Sequence, residues 1–324
     1  MSAEVALQGV WRRFDTRHRG QRRTLNALRG IDLAVAAGET LGLVGESGCG
    51  KSTLARLILR LDKPTAGRVM IDGTDIATLE GAHLQAVRER IQMVFQDPQA
   101  SLNPRMTARA AIAEPLRNFG RGGEAHARVP ELAKRVGLSP WHLDRYPHEL
   151  SGGQCQRVGI ARAIALSPDL IVADEPVSAL DVSIQAQILN LIADLKAQMG
   201  LTLVFVSHDL SVVSHVADRV AVMYMGRIVE VGPARDVLSA PHHPYTRLLL
   251  SALPRPIPAS RQLDAAPTGE LPSPLDPPSG CAFRTRCPRA TSTCAQTIPE
   301  LRRPNGVGPG HEVACHHTEG GADG

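Results

Sequence analysis

The chain has 324 residues, of which 43% are hydrophobic and 21% charged, and its formal net charge is +4. This composition excludes an intrinsically disordered chain and leaves room for one large domain with an appendage, or for two domains. Much of the positive charge lies within the first 30 residues, where seven arginines outnumber Glu4 and Asp15 by five, so a basic stripe typical of nucleic-acid binders is absent.

We interpret the basic cluster near the start as a solvated loop, with contact to anionic lipid headgroups as the alternative. It consists of Arg12, Arg13, Arg17, Arg19, Arg22, Arg23 and Arg29. No run approaches the roughly 18 apolar residues that span a bilayer, and the first residues, MSAEVALQGV, lack the pattern of a signal peptide. We therefore expect a protein that stays in the cytoplasm, where six cysteines do not indicate a disulfide framework.

A glycine-rich loop follows the first clear strand. The residues TLGLVG (40–45) predict a buried strand that runs into GESGCGKST (45–53), and STLARLILRL predicts a helix after it. The spacing matches a phosphate-binding loop, in which glycines let backbone N–H groups converge on an anion, Lys51 reaches the β- and γ-phosphates and Ser52 ligates Mg²⁺. The predicted nucleotide-binding residues are Gly45, Ser47, Gly48, Cys49, Gly50, Lys51, Ser52 and Thr53.

Cys49 lies inside this loop, at the predicted N-terminus of a helix. Because helix N-terminal N–H groups can lower the pKa of a thiol, we expect Cys49 to react with a maleimide and bound Mg-ATP to protect it. The alternative is an inert small residue.

Three further apolar runs end in polar residues: IQMVFQ (91–96), DLIVADE (169–175) and TLVFVSH (202–208). Runs of this kind are typical of buried parallel strands. Between the last two runs, Ile184, Ile188, Leu191 and Leu195 recur at helical spacing and predict an amphipathic crossover helix. The pattern indicates an α/β fold, a P-loop NTPase core with a mostly parallel sheet whose ligands collect at the carboxyl ends of the strands.

The polar residues at these strand ends are candidates for the chemistry of hydrolysis. Asp174 suits the Mg²⁺ shell, and Glu175 can polarise the attacking water. Gln96 could contact both Mg²⁺ and the water, and His208 could contact the γ-phosphate. A solvated strand end or a hydrogen-bonded cap is the alternative for each, and their common position beside a phosphate loop favours the functional interpretation.

Residues 97–149 break the alternation of strands and helices, and we expect an inserted helical subdomain at about 97–160. Within it, LSGGQCQRVGIARA (150–163) opens a second helix with a second glycine turn. Ser151 is a good N-cap, and Gly152 and Gly153 leave the first N–H groups of the helix uncovered, which makes an anion site. Because the chain's own loop already surrounds a nucleotide on one side, we infer that this site serves the nucleotide of a second subunit, arranged head to tail.

The last quarter of the chain changes in composition. PYTRLLLSAL (244–253) predicts one short helix, and residues 254–280 contain eight prolines, which favours an extended linker. We therefore divide the chain into an ATPase unit at 1–240, a short helix and proline-rich linker at 241–280, and a cysteine-containing C-terminal extension at 281–324. This extension has too few large apolar residues to fold on their burial alone.

Together, GESGCGKST, LSGGQ, DLIVADEP, the turn SALD (178–181) and His208 resemble the ATPase subunit of an ABC transporter over roughly three quarters of the chain. The resemblance implies that two ATPase subunits sandwich two ATP molecules, each between the phosphate loop of one and the LSGGQ residues Ser151, Gly152, Gly153 and Gln154 of the other. It further implies that Asp181 contacts the partner and that Phe14 stacks on adenine, with Trp11 and ordinary packing as alternatives.

FQDPQASLNPRMT (95–107), DEPVSALDVSIQAQILNL (174–191) and HHPYTRLLLSALP (242–254) are similar to the dipeptide and oligopeptide importer ATPases, a group that also serves nickel and other small solutes. The QCQR that includes Cys155 resembles the second of two paralogues. The resemblance implies a heterodimer with a paralogous ATPase, two transmembrane permease subunits docked on residues 96–149, an extracytoplasmic solute-binding protein, and a peripheral location on the cytoplasmic face of the inner membrane. No nucleic-acid partner is implied.

The function that follows is ATP hydrolysis that powers import of a peptide-type solute through separate membrane subunits. A nickel or other small-solute importer ATPase is one alternative. A second is an ABC ATPase of DNA repair or translation, although such proteins usually carry paired ATPase domains or a long coiled-coil insertion. A third, an inactive nucleotide-binding scaffold, is disfavoured by Glu175.

Four cysteines crowd the C-terminal extension at C-x5-C-x6-C-x20-C: Cys281, Cys287, Cys294 and Cys315. They lack the C-x2-C pairs usual in structural zinc sites, and four thiolates can hold a [4Fe–4S] cluster at wider spacing. GCAFRTRCP is similar to the cysteine-bearing extension of peptide-importer ATPases, in which such clusters occur. We predict a cluster with a structural or redox-sensing role, with zinc (using His311, His316 or His317) or free thiols as alternatives.

Overall fold

The protein is described by a computed structural model that covers residues 2–18, 21–252 and 272–318. The strands are β1 (Val5–His18), β2 (Gln21–Val35), β3 (Thr40–Val44), β4 (Ala66–Ile71), β5 (Thr74–Asp75), β6 (Ile91–Val94), β7 (Leu170–Asp174), β8 (Thr202–Ser207), β9 (Arg219–Tyr224), β10 (Arg227–Pro233) and β11 (Glu312–Val313). The helices are α1 (Lys51–Ile58), α2 (Gly81–Arg90), α3 (Ala108–Asn118), α4 (Ala125–Arg135), α5 (Gly152–Ala163), α6 (Val182–Met199), α7 (Leu210–Val216), α8 (Ala234–Ser239), α9 (Pro244–Ser251) and α10 (Ser292–Gln296). In these ranges no helix combines the length and apolar character needed to cross a bilayer.

The central sheet has the strand order β11-β10-β9-β3-β8-β7-β6. Neighbours from β9 to β6 are parallel, whereas β10 and β11 add to the edge in antiparallel orientation. Strands β3, β7 and β8 are buried along their whole length, as expected of apolar strands covered by helices on both faces. The predicted α/β fold with a mostly parallel sheet is therefore confirmed.

A second, antiparallel sheet has the order β2-β1-β4-β5, and the sequence analysis missed it. In β2 every second residue from Ile31 faces the core, and Ile31, Leu33 and Val35 are buried. The interpretation of the basic cluster as a loop is wrong, because six of the seven arginines lie on β1 and β2, and Arg19 falls outside the described residues. Arg12, for example, donates to the backbone oxygen of Lys63 and pairs with Asp62.

Helices α3, α4 and α5 lie in the chain between β6 and β7, within the region in which the helical insertion was predicted. Apolar residues of all three share one buried cluster, which includes Ile112, Leu116, Leu132 and Val158. The same cluster continues into the central sheet through Phe205 and Tyr224. The helical insertion therefore shares its buried core with the central sheet.

The C-terminal extension is joined to the ATPase unit by its packing, so the expectation of an appendage held only by a long linker is wrong. Strand β11 pairs with β10, and the buried ring of Phe283 lies 5.4 Å from each of the rings of Tyr224 and Tyr245. The extension is stabilised because it adds a strand to the edge of the central sheet and packs Phe283 on aromatic residues outside the extension. Of the predicted linker, residues 254–271 lie outside the described residues.

A buried contact between His311 and Glu230 fixes the same junction. His311 Nε2 lies 2.8 Å from the Glu230 carboxylate, and both side chains are almost fully buried. Glu230 also accepts backbone N–H bonds from His242 and His243, which satisfy its other lone pairs. These hydrogen bonds outweigh the effect of burial, so the pKa of Glu230 lies below its usual value.

Candidate functional site

The glycine-rich loop connects β3 to α1 in a conformation that requires glycine. Gly45, Gly48 and Gly50 all have positive φ values, of 153°, 79° and 111°. A Cβ atom on Gly45 would lie 2.2 Å from the backbone oxygen of Met223, and one on Gly50 would lie 2.6 Å from that of Ala27. All three glycines are therefore favoured by conformation, and Gly45 and Gly50 are required by space as well.

Lys51 begins α1 and is almost fully buried beneath the loop. Its Nζ donates to the backbone oxygens of Gly45 and Glu46 at 2.7 and 3.1 Å. The ammonium group is therefore held inside the curve of the loop, where an anionic ligand would meet it.

The two oxygen donors predicted for Mg²⁺ lie together. Ser52 Oγ donates to Asp174 Oδ1 across 3.3 Å, which joins the loop to the end of β7. Burial raises the pKa of Asp174, and the neighbouring carboxylate of Glu175 raises it further, while the Ser52 hydrogen bond opposes both. Hydroxyl and carboxylate oxygens suit a hard divalent cation, which would also favour the ionised form of Asp174.

Glu175 is the centre of a cluster contributed by three strand ends. Gln96 Nε2 donates to Glu175 Oε2 at 3.1 Å, and His208 Nδ1 lies 3.1 Å from the same oxygen. Glu175 itself has φ +47°, an uncommon conformation for a residue with a side chain, and its backbone N–H donates to Val206 O. The sequence therefore identified three residues, 79 and 33 positions apart along the chain, that form one constellation.

A single cavity of about 820 Å³ joins the loop to this constellation. Glu175, Gln96 and His208 line it together with Lys51, Ser52 and the predicted base-stacking residue Phe14. Trp11 packs over Gly30, since a Cβ atom on Gly30 would lie 3.3 Å from the indole nitrogen of Trp11. Trp11 is not among the residues that line the cavity. Of the two aromatic candidates, Phe14 is thus the one that the cavity exposes to a ligand.

The expectation of a reactive Cys49 is wrong. The side chain is 5% exposed, and its Sγ lies against Gly45, at 2.8 Å from where a Cβ atom would be. Burial raises the pKa of the thiol, and this effect outweighs the lowering by Lys51 and by backbone N–H groups. Cys49 contributes its backbone to the loop, while its sulfur packs into the core below.

The LSGGQ residues form the N-terminus of helix α5. Ser151 is the N-cap, its Oγ accepts from the Gln154 N–H, and Gln154 Oε1 accepts from the Ser151 N–H at 2.8 Å. Gly153 has a packing role that the sequence analysis missed, since a Cβ atom there would lie 2.7 Å from Ile184. None of residues 151–154 is among the described residues that line the phosphate cavity.

Asp181 is the N-cap of α6, and its side chain is exposed. The next residue, Val182, is 81% exposed, an unusual fraction for a large apolar side chain. An exposed carboxylate beside an exposed valine is a feature that a subunit contact would cover.

The four C-terminal cysteines occupy one part of the extension. The Cys281 N–H donates to Cys294 O at 2.8 Å, and Cys294 Sγ lies 3.5 Å from His317 Nε2. Burial raises the pKa of Cys281 to about 11, and the charges of the other three thiols add to the effect. Across residues 2–18, 21–252 and 272–318, however, no group of three or more His, Cys, Asp and Glu side chains is arranged to hold a metal ion.

Of the histidines considered for zinc, His311 is bonded to Glu230, as described above, and is not a free ligand. His316 Nε2 lies within hydrogen-bond distance of Thr297 Oγ1 and Thr297 O. Only His317, of these three described histidines, approaches a cysteine sulfur.

Sequence reasoning missed the part of the C-terminal region that reaches the phosphate loop. Leu249, Pro274 and Pro277 line the nucleotide-sized cavity, and the Tyr245 hydroxyl accepts a hydrogen bond from the Glu46 N–H at 2.9 Å. These residues lie about 200 or more positions beyond the loop in the chain. Their spacing contains no pattern that would predict a contact with the phosphate loop.

Comparisons with known proteins agree with this geometry. Residues 28–178 match the family described as ABC transporter, and residues 229–294 match the family described as oligopeptide/dipeptide transporter, C-terminal region. The oligopeptide transport ATP-binding protein AppF of Bacillus subtilis is 52% identical over 297 residues, which cover 90% of this chain and 89% of that protein.

Two solved structures share the fold. A dimeric ATP-binding cassette in a post-hydrolysis state, bound to ADP and Pi, is 33% identical with a TM-score of 0.64, and the match covers 71% of this chain and 99% of that one. A chain from Clostridium perfringens that is part of an ABC transporter complex is 28% identical with a TM-score of 0.62, and the match covers 73% and 90%.

Proposed function

Because this chain belongs to the ATP-binding subunits of ABC transporters and carries the C-terminal region of the oligopeptide/dipeptide type, we propose that it hydrolyses ATP to power import of a peptide-type solute through separate membrane subunits. The observation that carries the proposal is the single cavity in which the phosphate loop meets Gln96, Glu175 and His208. A phosphate loop alone would support nucleotide binding. The added carboxylate supports hydrolysis.

We assign the roles as follows. Lys51, already directed into the loop, binds the β- and γ-phosphates, and backbone N–H groups of the loop surround them. Ser52, Gln96 and Asp174 hold Mg²⁺, which when bound neutralises charge on the phosphate oxygens. Glu175 accepts a proton from the attacking water, and Gln96 and His208 orient its carboxylate through the hydrogen bonds described above. Phe14 stacks on the adenine.

We propose that the hydrolytic site is completed by a second ATPase subunit. The exposed N-terminus of α5, with Ser151, Gly152, Gly153 and Gln154, then contacts the γ-phosphate of the nucleotide bound to the partner, and Asp181 contacts the partner chain. Two features support this arrangement: the LSGGQ residues lie outside the described lining of the chain's own cavity, and Val182 is left exposed. By the resemblance of QCQR, the partner is a paralogue, which makes the pair a heterodimer.

We further propose that the subunit is peripheral on the cytoplasmic face of the inner membrane, where residues 96–149 dock on two permease subunits that receive solute from an extracytoplasmic binding protein. Trp141 and Tyr146, at 59% and 40% exposure, are large side chains on this part of the surface. They line a groove of about 690 Å³ together with charged residues, which include Arg145 and Glu149. Exposed aromatic residues with a charged rim suit a protein interface.

The experiment that tests the function is solute uptake by cells that express the complete transporter with Lys51→Ala in this chain. We expect loss of peptide uptake, because the variant lacks the cation on the terminal phosphates and binds ATP weakly. Lys63→Ala is the matched control, since among the described residues the Lys63 ammonium group makes only an exposed ion pair with Glu80. Uptake of the peptide at the parental rate in the Lys51→Ala strain would contradict the proposal.

For the C-terminal extension we propose a [4Fe–4S] cluster held by Cys281, Cys287, Cys294 and Cys315. Contacts within the extension support it, since the Cys281 N–H donates to Cys294 O and His317 lies within hydrogen-bond distance of the sulfurs of Cys294 and Cys315. Binding would require their side chains to rearrange, because no three of the described His, Cys, Asp and Glu side chains are placed to hold a metal ion. The role is structural, because the extension is packed against the ATPase core.

Anaerobic purification is expected to give a brown protein with iron and acid-labile sulfide in equal amounts. Both should be lost in Cys287→Ser and retained in Cys155→Ser, which changes a cysteine of α5 that donates to Pro147 O. A colourless preparation with stoichiometric zinc would overturn the cluster.

A further inference from the structure

The C-terminal extension forms a bidentate ion pair with the phosphate loop. Arg286, which directly precedes Cys287, follows the short 3-10 helix Ala282–Thr285 and is 8% exposed. Its two terminal nitrogens donate to the two carboxylate oxygens of Glu46 at 2.9 and 3.0 Å. Arginine is suited to this geometry because its planar fork matches a carboxylate and stays charged at every physiological pH.

Glu46 is held at its backbone as well as at its side chain. Its N–H donates to the Tyr245 hydroxyl at 2.9 Å, and its carbonyl oxygen accepts from Lys51 Nζ at 3.1 Å. Tyr245 is fully buried, and its ring lies 5.4 Å from that of Phe283, in the same short helix that precedes Arg286. One rigid aromatic cluster therefore fixes both the tyrosine and the arginine that contact this residue.

The charge of Glu46 would oppose the function of the loop if it had no partner. Glu46 lines the cavity that Lys51 also lines, so a Glu46 carboxylate without a partner could turn toward the place where the phosphates of ATP would be bound. Like charges at short range in a partly desolvated site repel strongly. Arg286 neutralises this carboxylate and directs it toward the extension, which leaves Lys51 free to act on the phosphates.

We propose that Arg286 is a positioning residue of the nucleotide site, which makes the C-terminal extension a working part of ATP binding. The inference rests on the proposed function, because it assumes that the loop binds ATP. It predicts that Arg286 acts through Glu46 and not by touching nucleotide. Its loss should therefore change the affinity for ATP more than the rate of the bound complex.

The test is the Kd for a fluorescent ATP analogue, measured on the full chain. Arg286→Ala should weaken binding about tenfold, because it leaves Glu46 charged and unpaired beside the phosphates. In a Glu46→Gln background the same change should weaken binding less than about twofold, since no carboxylate is left to neutralise. In the assembled complex, Arg286→Ala should raise KM for ATP about tenfold with kcat within about twofold of the parent value.

Arg284→Ala is the matched control. Arg284 lies in the short helix that precedes Arg286, and among the described residues it donates only to Ser279 inside the extension, so its removal should leave the Kd unchanged. If Arg286→Ala acted by loosening the extension, the loss of affinity would persist in the Glu46→Gln background, and the proposal would be overturned. Parental affinity in Arg286→Ala would overturn it too. Failure of the parent chain to bind the analogue would instead reject the proposed function.

Discussion

Glu175→Gln is expected to reduce ATP hydrolysis by about a hundredfold or more while the affinity for ATP stays within about threefold of the parent value. Glutamine keeps the shape of the side chain and can still bond to Gln96 and His208, but it cannot accept the proton of the attacking water. The backbone of the residue has φ +47° and its N–H donates to Val206 O, and neither feature depends on the charge of the side chain that the substitution removes.

The measurement is the rate of phosphate release by the assembled complex, together with the Kd for ATP. Glu131→Gln serves as the control, because Glu131 makes an exposed ion pair with Arg135 on α4. It should hydrolyse ATP at the parental rate. Parental hydrolysis by Glu175→Gln as well would show that another group activates the water.

Ser151→Arg should reduce hydrolysis by the assembled complex about a hundredfold, although this chain still binds ATP with parental affinity. A long cation at the N-terminus of α5 would fill the space that the partner's γ-phosphate needs. The chain's own loop lies elsewhere, since residues 151–154 are outside the described lining of its cavity. The variant thus separates the two sites that one chain contributes.

Ser151→Ala controls for the loss of the N-cap, which by itself costs about 1 kcal/mol of stability. It should retain a substantial part of the hydrolysis, since it removes the hydroxyl without filling the site. If Ser151→Arg turned ATP over normally in the assembled complex, the cross-subunit role of the LSGGQ residues would be rejected.

The residues of the phosphate cavity could be predicted because each is tied to a local pattern. Asp174, Glu175, Gln96 and His208 all follow apolar runs, and parallel strands bring their carboxyl ends to one edge of a sheet. The glycines of the loop have positive φ values that favour glycine, so the spacing of glycines in the sequence predicts the conformation of the loop. Local pattern and tertiary geometry therefore agree at this site.

What the sequence analysis missed depends on contacts between distant segments. The arginines lie on strands because β1 pairs with β2, in which Leu28, Ile31 and Leu33 face the core. The many charged residues in this part of the sequence concealed the alternation of apolar and polar residues. The extension was expected to need a cross-link because its own apolar residues are few. It is instead packed on Tyr224 of β9 and Tyr245 of α9. The reactivity of Cys49 was predicted wrongly because it depends on whether the side chain points toward solvent or into the core, which the motif does not specify.

The central claim is that ATP holds two subunits together across a composite site. It is tested most directly by light scattering on Glu175→Gln protein, alone and mixed with the proposed paralogous partner, with and without Mg-ATP. We predict that Mg-ATP raises the mass from that of a single chain, 34.7 kDa for this one, to that of a pair, and that adding Ser151→Arg abolishes the rise. A mass that stays at the single-chain value with ATP bound, or pairing that persists without ATP and despite Ser151→Arg, would contradict the account.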